Sequence, residues 1–124
     1  MLSAITGKVL SQETTLLEPD PIFSITLQDA IIEQAKRYEI PSQWLTNLAN
    51  CESSYGTNLI GDHGLAHGVY QYHQSTFDWF SKSYGESLDR ESYYDQTKLT
   101  AWALKKGLGS HWSCDYKTGK VKHL

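Results

Sequence analysis

The chain has 124 residues, a formal net charge of -3, and 40% apolar against 20% charged side chains. That length suits one ordinary domain with a single core, and the composition excludes a disordered tail or a fibre. The acidic balance argues against nucleic acid, whose binders carry basic patches, and no run approaches the ~18 apolar residues of a membrane span.

Residues 1–25 read as a polar, irregular arm with Pro19 and Pro21, and they lack the basic start and apolar block of a secretory signal. A first helix is predicted from near Thr26, where Thr26 and Asp29 have capping-box spacing and Ile31, Ile32, Ala35 and Tyr38 give a helical stripe. Pro41 suits the first turn of a second helix, which carries Trp44, Leu45, Leu48 and Ala49 and runs to about Ser53. From Tyr55 to Gln74 the character changes. Gly56, Gly61, Gly64 and Gly68 punctuate this stretch, and Val69-Tyr70-Gln71-Tyr72 is its only β-like run, so a long loop with a short hairpin is expected.

Helices resume at roughly 75–84, with Phe77, Phe80 and Tyr84 on one face and Gly85 as the stop. Another is predicted at roughly 93–106, with Leu99, Trp102 and Ala103 inward and Gly107 as its stop. A last turn covers His111 to Cys114, and a basic tail occupies 117–124. The predicted architecture is mostly α: an arm at 1–25, one domain at 26–116 with a helical core and a glycine-rich lobe, then the tail.

Four Trp and eight Tyr are many for this size. Rings of this kind fill cores, and they also line grooves that bind sugars; composition leaves both open. Cys51 and Cys114 belong to no C-x-x-C pair, which disfavours a zinc knuckle or a thioredoxin-like site. Bonded, they would stabilise by about 4 kcal/mol in the loop-entropy model and imply an oxidising compartment; reduced, they would be two buried thiols.

Glu52 stands out. It lies four residues beyond Leu48 and seven beyond Leu45, which puts its carboxylate on the buried stripe of the second helix at the last turn. Partial desolvation and the negative end of the helix dipole both favour the protonated carboxyl, the form a general acid for glycoside cleavage needs. An ordinary Glu fraying into solvent is the bland alternative from position alone.

The segment Cys51 to Gln71, CESSYGTNLIGDHGLAHGVYQ, resembles the catalytic segment of lysozyme-like lytic transglycosylases and the related goose-type lysozymes. Those families show a Glu-Ser pair at a helix end, a glycine-rich lobe, then a Gly-aliphatic-x-Gln run. Glu52-Ser53 and Gly68-Val69-Tyr70-Gln71 match them here. QSTFDWF and YYDQTKLTAWALKKGLGSHWSC look like the closing helices of small bacterial and phage domains of that kind, so the resemblance covers about 27–115. It implies a lysozyme-like α+β fold and cleavage of peptidoglycan glycan strands outside the cytoplasm, by a monomer with no cofactor and no metal. Glu52 becomes the catalytic acid, Gln71 a lining group of the sugar site, and Cys51–Cys114 a disulfide tying the last turn to the catalytic helix.

Ser53 either orders the turn after Glu52 or bonds near the site, and Tyr70, Tyr72 and Trp112 are either sugar contacts or core. The Ala-Tyr-Asn element of larger transglycosylases is missing, with Gly-Ser-His-Trp in that region. Asp62 resembles the Asp that helps goose-type lysozymes hold water, and is otherwise a turn residue between Gly61 and Gly64. The further Asp of those enzymes is replaced by His73. One carboxylate suffices for a transglycosylase, so that mechanism is favoured over a hydrolase using Asp62 and over a non-catalytic glycan-binding module. His63, His67 and His73 beside Asp62 suggest zinc only weakly, because Gly64 and Gly68 break the helix an H-x-x-x-H pair needs.

Overall fold

The computed structural model describes residues 25–114. Apart from Ile25, the expected arm lies outside these residues, as does the expected basic tail. Four helices carry the described fold: α1 (Leu27–Tyr38), α2 (Ser42–Ser53), α3 (Gln74–Tyr84) and α4 (Tyr93–Lys105). Between α2 and α3 lies a small antiparallel hairpin, β1 (Ile60–Gly61) and β2 (Ala66–His67), with Ile60 opposite His67 and Gly61 opposite Ala66. Two 3-10 turns complete the fold, one at the hairpin tip (Asp62–Gly64) and one after α4 (Gly109–His111). The last turn thus starts two residues earlier than its sequence signals suggest.

Local signals account for the helix ends. Thr26 Oγ1 accepts from the Asp29 N–H at 3.1 Å, and the Thr26 N–H reaches back to Asp29 Oδ2 at 3.4 Å, so the capping box forms with Asp in place of Glu. Pro41 stands as the N-cap of α2, one step before the helix rather than inside it. Ser92 caps α4 through its Oγ to the Asp95 N–H at 3.1 Å. Gly85 stops α3 in the left-handed region at φ 99°, as glycine does without strain.

One expectation is corrected. Val69-Tyr70-Gln71-Tyr72 forms no strand; the strands lie earlier, at Ile60–Gly61 and Ala66–His67. The Gln71 N–H bonds the Gly68 carbonyl at 3.1 Å, and mutual backbone bonds between His67 and Tyr72 (3.0 and 2.9 Å) close a tight turn. Val69, Tyr70 and Tyr72 look β-like because they are bulky and buried, and a turn pressed into a core needs the same residues.

The core joins α1, α2 and α4 through Ile31, Leu45, Leu48, Leu99 and Ala103, all but closed to solvent. Full burial of each large aliphatic contributes about 1.5–3 kcal/mol. A second set of rings extends it. Tyr72 meets Phe77, Phe80 and Trp112 edge-on at centroid distances of 5.2, 6.1 and 5.5 Å.

Tyrosine hydroxyls mark how dry this core is. Tyr70 and Tyr72 are completely buried, and that burial holds both hydroxyls far above the usual tyrosine range. Tyr38 is pushed up to about 12 by partial burial and by its hydrogen bond to the Tyr84 hydroxyl at 2.9 Å. Groups raised in the folded state give stability that is complete below the unfolded value near 10 and lost as pH rises beyond it. The melting temperature should therefore be level up to about pH 10 and fall steeply above it. The ultraviolet signal of tyrosinate from Tyr70 and Tyr72 should appear only with unfolding. Smooth ionisation of every tyrosine in a still-folded chain would contradict this packing.

Candidate active site

Glu52 lies half-buried in the last turn of α2, one residue from its end. The next few residues are built to hold that end still. Ser53 is buried; its Oγ donates to the Ala49 carbonyl at 3.2 Å and accepts from the Gly56 N–H at 2.8 Å. Its carbonyl takes the N–H groups of both Thr57 and Asn58 at 2.9 Å. Ser54 and Tyr55 both sit in the left-handed region, at φ 52° and 58°, and reverse the chain. Of the two roles open to Ser53, the geometry supplies the first: it orders the turn after Glu52.

From Asn58 the chain enters the glycine-rich lobe. The Leu59 carbonyl accepts from the Gly68 N–H at 2.8 Å and from Gln71 Nε2 at 3.1 Å, and the same Nε2 donates to the Gly68 carbonyl at 2.9 Å. Both amide protons of Gln71 are thus used to brace the lobe. Its Oε1 lies over Gly61, where an added Cβ would come within 2.2 Å of it. A bonded path runs from the helix end through Ser53, Asn58 and Leu59 to Gln71, so the lobe and Glu52 are held in one frame.

Asp62 and His73 meet across this lobe. His73 Nε2 stands 2.8 Å from Asp62 Oδ2, with each side chain about half exposed (46% and 51%). Asp62 and its neighbour His63 are both left-handed, at φ 49° and 57°. The structure therefore pairs Asp62 with His73 and sets the Gln71 amide against Gly61, next to Asp62 in the chain. Tyr70, Tyr72 and Trp112 are not part of any such surface. They are 0%, 2% and 5% exposed, and their polar atoms bond inward: Tyr70 to the Leu45 carbonyl, Tyr72 to Thr100, Trp112 Nε1 to the Tyr70 carbonyl. The structure packs these rings into the core, and sugars have no face of them to meet.

Sequence reading missed the residue that seats the lobe. Gln96 on α4 is fully buried; its Oε1 accepts from the Tyr70 N–H at 2.9 Å, and its Nε2 donates to the carbonyls of His67 at 2.8 Å and Arg90 at 2.7 Å. Gly68 makes this possible, since a Cβ there would fall 2.0 Å from Gln96 Nε2, and its φ is +89°. Arg90 adds bonds to the Leu65 and Tyr72 carbonyls, and Glu91 meets His67 Nδ1 at 2.9 Å. The signal was present: Gln96 precedes Leu99 by three and Ala103 by seven, an amide on an inward stripe.

The disulfide Cys51–Cys114 lies immediately beside Glu52 and ties α2 to the segment after α4. Behind the lobe, a cavity of about 200 Å³ is lined by Leu27, Tyr55, Leu59, Val69, Glu91 and Tyr93; Glu52 is not among its walls. Among the described residues, no three His, Cys, Asp or Glu side chains gather as a metal site, and no helix is long and apolar enough to cross a membrane.

A helix-end Glu-Ser pair, a stapled glycine-rich lobe and a helical frame are now in place. The family model described as Transglycosylase SLT domain matches residues 29–106, more than half of the chain. The chain belongs to that family. Its fold is the mostly helical, lysozyme-like one that the resemblance implies. Membership brings a lytic transglycosylase-type, peptidoglycan-cleaving function, and therefore action outside the cytoplasm, where peptidoglycan lies. The chain matches no curated protein and no solved structure.

Two outcomes are expected from this geometry. Gln96→Leu strands the Tyr70 N–H and the Arg90 carbonyl and removes one of the two donors to the His67 carbonyl, so unfolding free energy should fall by at least about 2 kcal/mol, and turnover should drop although Glu52 is untouched. Denaturant melts and wall-digestion assays read both; a neutral substitution would show that the lobe is held some other way. Reducing the disulfide, with a sequence separation of 63, should lower stability by up to about 4 kcal/mol. An unchanged melting temperature on reduction would contradict a bond that ties these segments.

Proposed function

We propose that the chain is a lytic transglycosylase that cuts the β-1,4 bond from N-acetylmuramic acid to N-acetylglucosamine, with Glu52 acting first as acid and then as base. The observation that carries this is the position of Glu52 inside the matched family segment, on a helix end locked by Ser53. Glu52 gives its proton to the glycosidic oxygen as the C1–O bond breaks, leaving an oxocarbenium-like sugar. The muramic sugar's own C6 oxygen then bonds C1, and the Glu52 carboxylate takes the hydroxyl proton. The products are a 1,6-anhydro end and a new free end. Water is not consumed, and Glu52 returns to its protonated form.

This route asks nothing of a second carboxylate. Asp62 already faces His73 at 2.8 Å, an engagement that suits a structural role in the lobe better than that of a free base. Ser53 and Gln71 serve by holding the backbone that presents Glu52. The place of action is the periplasm, the cell wall or a virion that attacks the wall, consistent with a disulfide beside the site.

Glu52→Gln keeps the shape and removes the transferable proton, so cleavage of purified peptidoglycan should be abolished with the melting temperature unchanged. Asp62→Asn should cost less than about tenfold in rate, and mass spectrometry should find 1,6-anhydromuramic ends. A loss of about a hundredfold or more for Asp62→Asn in a folded variant, with reducing ends as products, would instead make the chain a hydrolase in which Asp62 positions water.

A further inference from the structure

Trp79 has no place in the chemistry above. It lies on α3 but off the inward stripe of Phe77, Phe80 and Tyr84, and 55% of it is exposed. Its ring packs on Phe80 at 5.4 Å and against the exposed His111 imidazole, also at 5.4 Å and nearly perpendicular. Phe80 backs His111 as well, edge-on at 5.2 Å. One buried ring thus supports two exposed ones, which makes a small, stiff aromatic ledge at the surface.

The ledge is joined to Glu52 by a short path. His111 precedes Cys114 by three residues, and Cys114 is bonded to Cys51, the neighbour of Glu52, with a Cα separation of 5.8 Å. Chain geometry therefore keeps the Cα atoms of His111 and Glu52 within about 21 Å of each other, a stretch that a few linked pyranose rings can cover. The surroundings favour sugar over protein. Ser75, Lys82 and Ser83 are exposed on α3 around Trp79, as is Ser110 before His111, and no other large apolar side chain is exposed on α3 or the 3-10 turn among the described residues. Protein interfaces need a broad patch with an apolar centre. A lone stiff ring among hydroxyls suits the C–H face of an amino sugar, with its hydroxyl and N-acetyl groups free to bond beside it.

We propose that Trp79 and His111 form a glycan-binding subsite that holds a sugar of the peptidoglycan strand away from the scissile bond. This rests on the reading that the chain cleaves peptidoglycan, since a polymer must be gripped beyond the broken linkage. The test uses the full oxidised chain in its Glu52→Gln form, so that binding is measured without cleavage. Two probes serve: a soluble β-1,4-linked N-acetylglucosamine tetramer, and purified peptidoglycan sacculi.

Trp79→Ala should weaken binding of both probes by about fivefold or more, the scale of an aromatic contact, while Trp79→Tyr keeps most of it. His111→Ala should weaken it less. With Glu52 restored, Trp79→Ala should raise KM with little change in kcat, because a grip on an unreacting sugar is the same before and in the transition state. Parent-like binding by Trp79→Ala would overturn the proposal. So would a parent that binds neither probe, or concentration-dependent self-association that Trp79→Ala abolishes, which would make the ledge a contact between copies. A parent that binds through Trp79 but never cleaves would leave the subsite standing and remove the catalytic reading, so the two failures are distinguishable.

Discussion

A single buried carboxamide holds the two halves of this molecule together. Gln96 accepts the Tyr70 N–H and donates to the His67 and Arg90 carbonyls, so its one side chain bonds three backbone groups of two separate segments at once. A lobe with only two-residue strands makes few ladder bonds of its own and cannot be self-supporting. Its shape therefore comes from outside, from α4. Gly68 is part of the same device, because only a residue without a Cβ lets that amide approach the backbone.

Strained backbone gathers where the chemistry is assigned. Of the six non-glycine residues at positive φ among the described residues, Ser54, Tyr55, Asp62, His63 and Gln71 all lie between the end of α2 and the start of α3, and Glu39 lies elsewhere. Such conformations cost of order 1–3 kcal/mol each and persist only where neighbours over-determine them. Here the neighbours are identifiable: Ser53 for the first pair, the hairpin with its 3-10 turn for the second, and the Leu59 and Gly68 carbonyls for Gln71. The disulfide adds a covalent tie one residue from Glu52, so the carboxylate is carried on a helix end that can neither fray nor turn away.

The carboxylates divide by environment. Glu52 is half-buried at a helix end, while Asp62 is exposed and faces a histidine. An exposed contact of this kind adds little to stability, commonly no more than about 1 kcal/mol even where both partners are charged. Its consequence is positional: it joins the hairpin tip to the residue that begins α3, with Gln71 bracing the same lobe between them. The aromatic side chains divide in the same way, with Tyr72, Phe77 and Trp112 closed inside and Trp79 left out on the ledge.

Much of this was legible in the residues themselves. The Thr26–Asp29 cap, Pro41, Gly85 and the stripes through Leu45 and Leu99 place four helices, because those signals act over one or two turns and need no partner elsewhere. The half-buried place of Glu52 at the end of α2 was legible for the same reason, since helical spacing alone sets it beside an apolar stripe. Gln96 carried an equivalent signal and went unread, since an amide on a stripe has no chemistry of its own to announce. What only the tertiary structure decided are matters of which distant segment supplies a partner. Val69 to Tyr72 became a turn because α4 and α2 bond it in that shape, and Tyr70, Tyr72 and Trp112 became core because their hydroxyl and indole groups found partners inside. Whether a ring or an amide faces sugar or protein depends on contacts between residues dozens of positions apart, and local pattern carries no record of them.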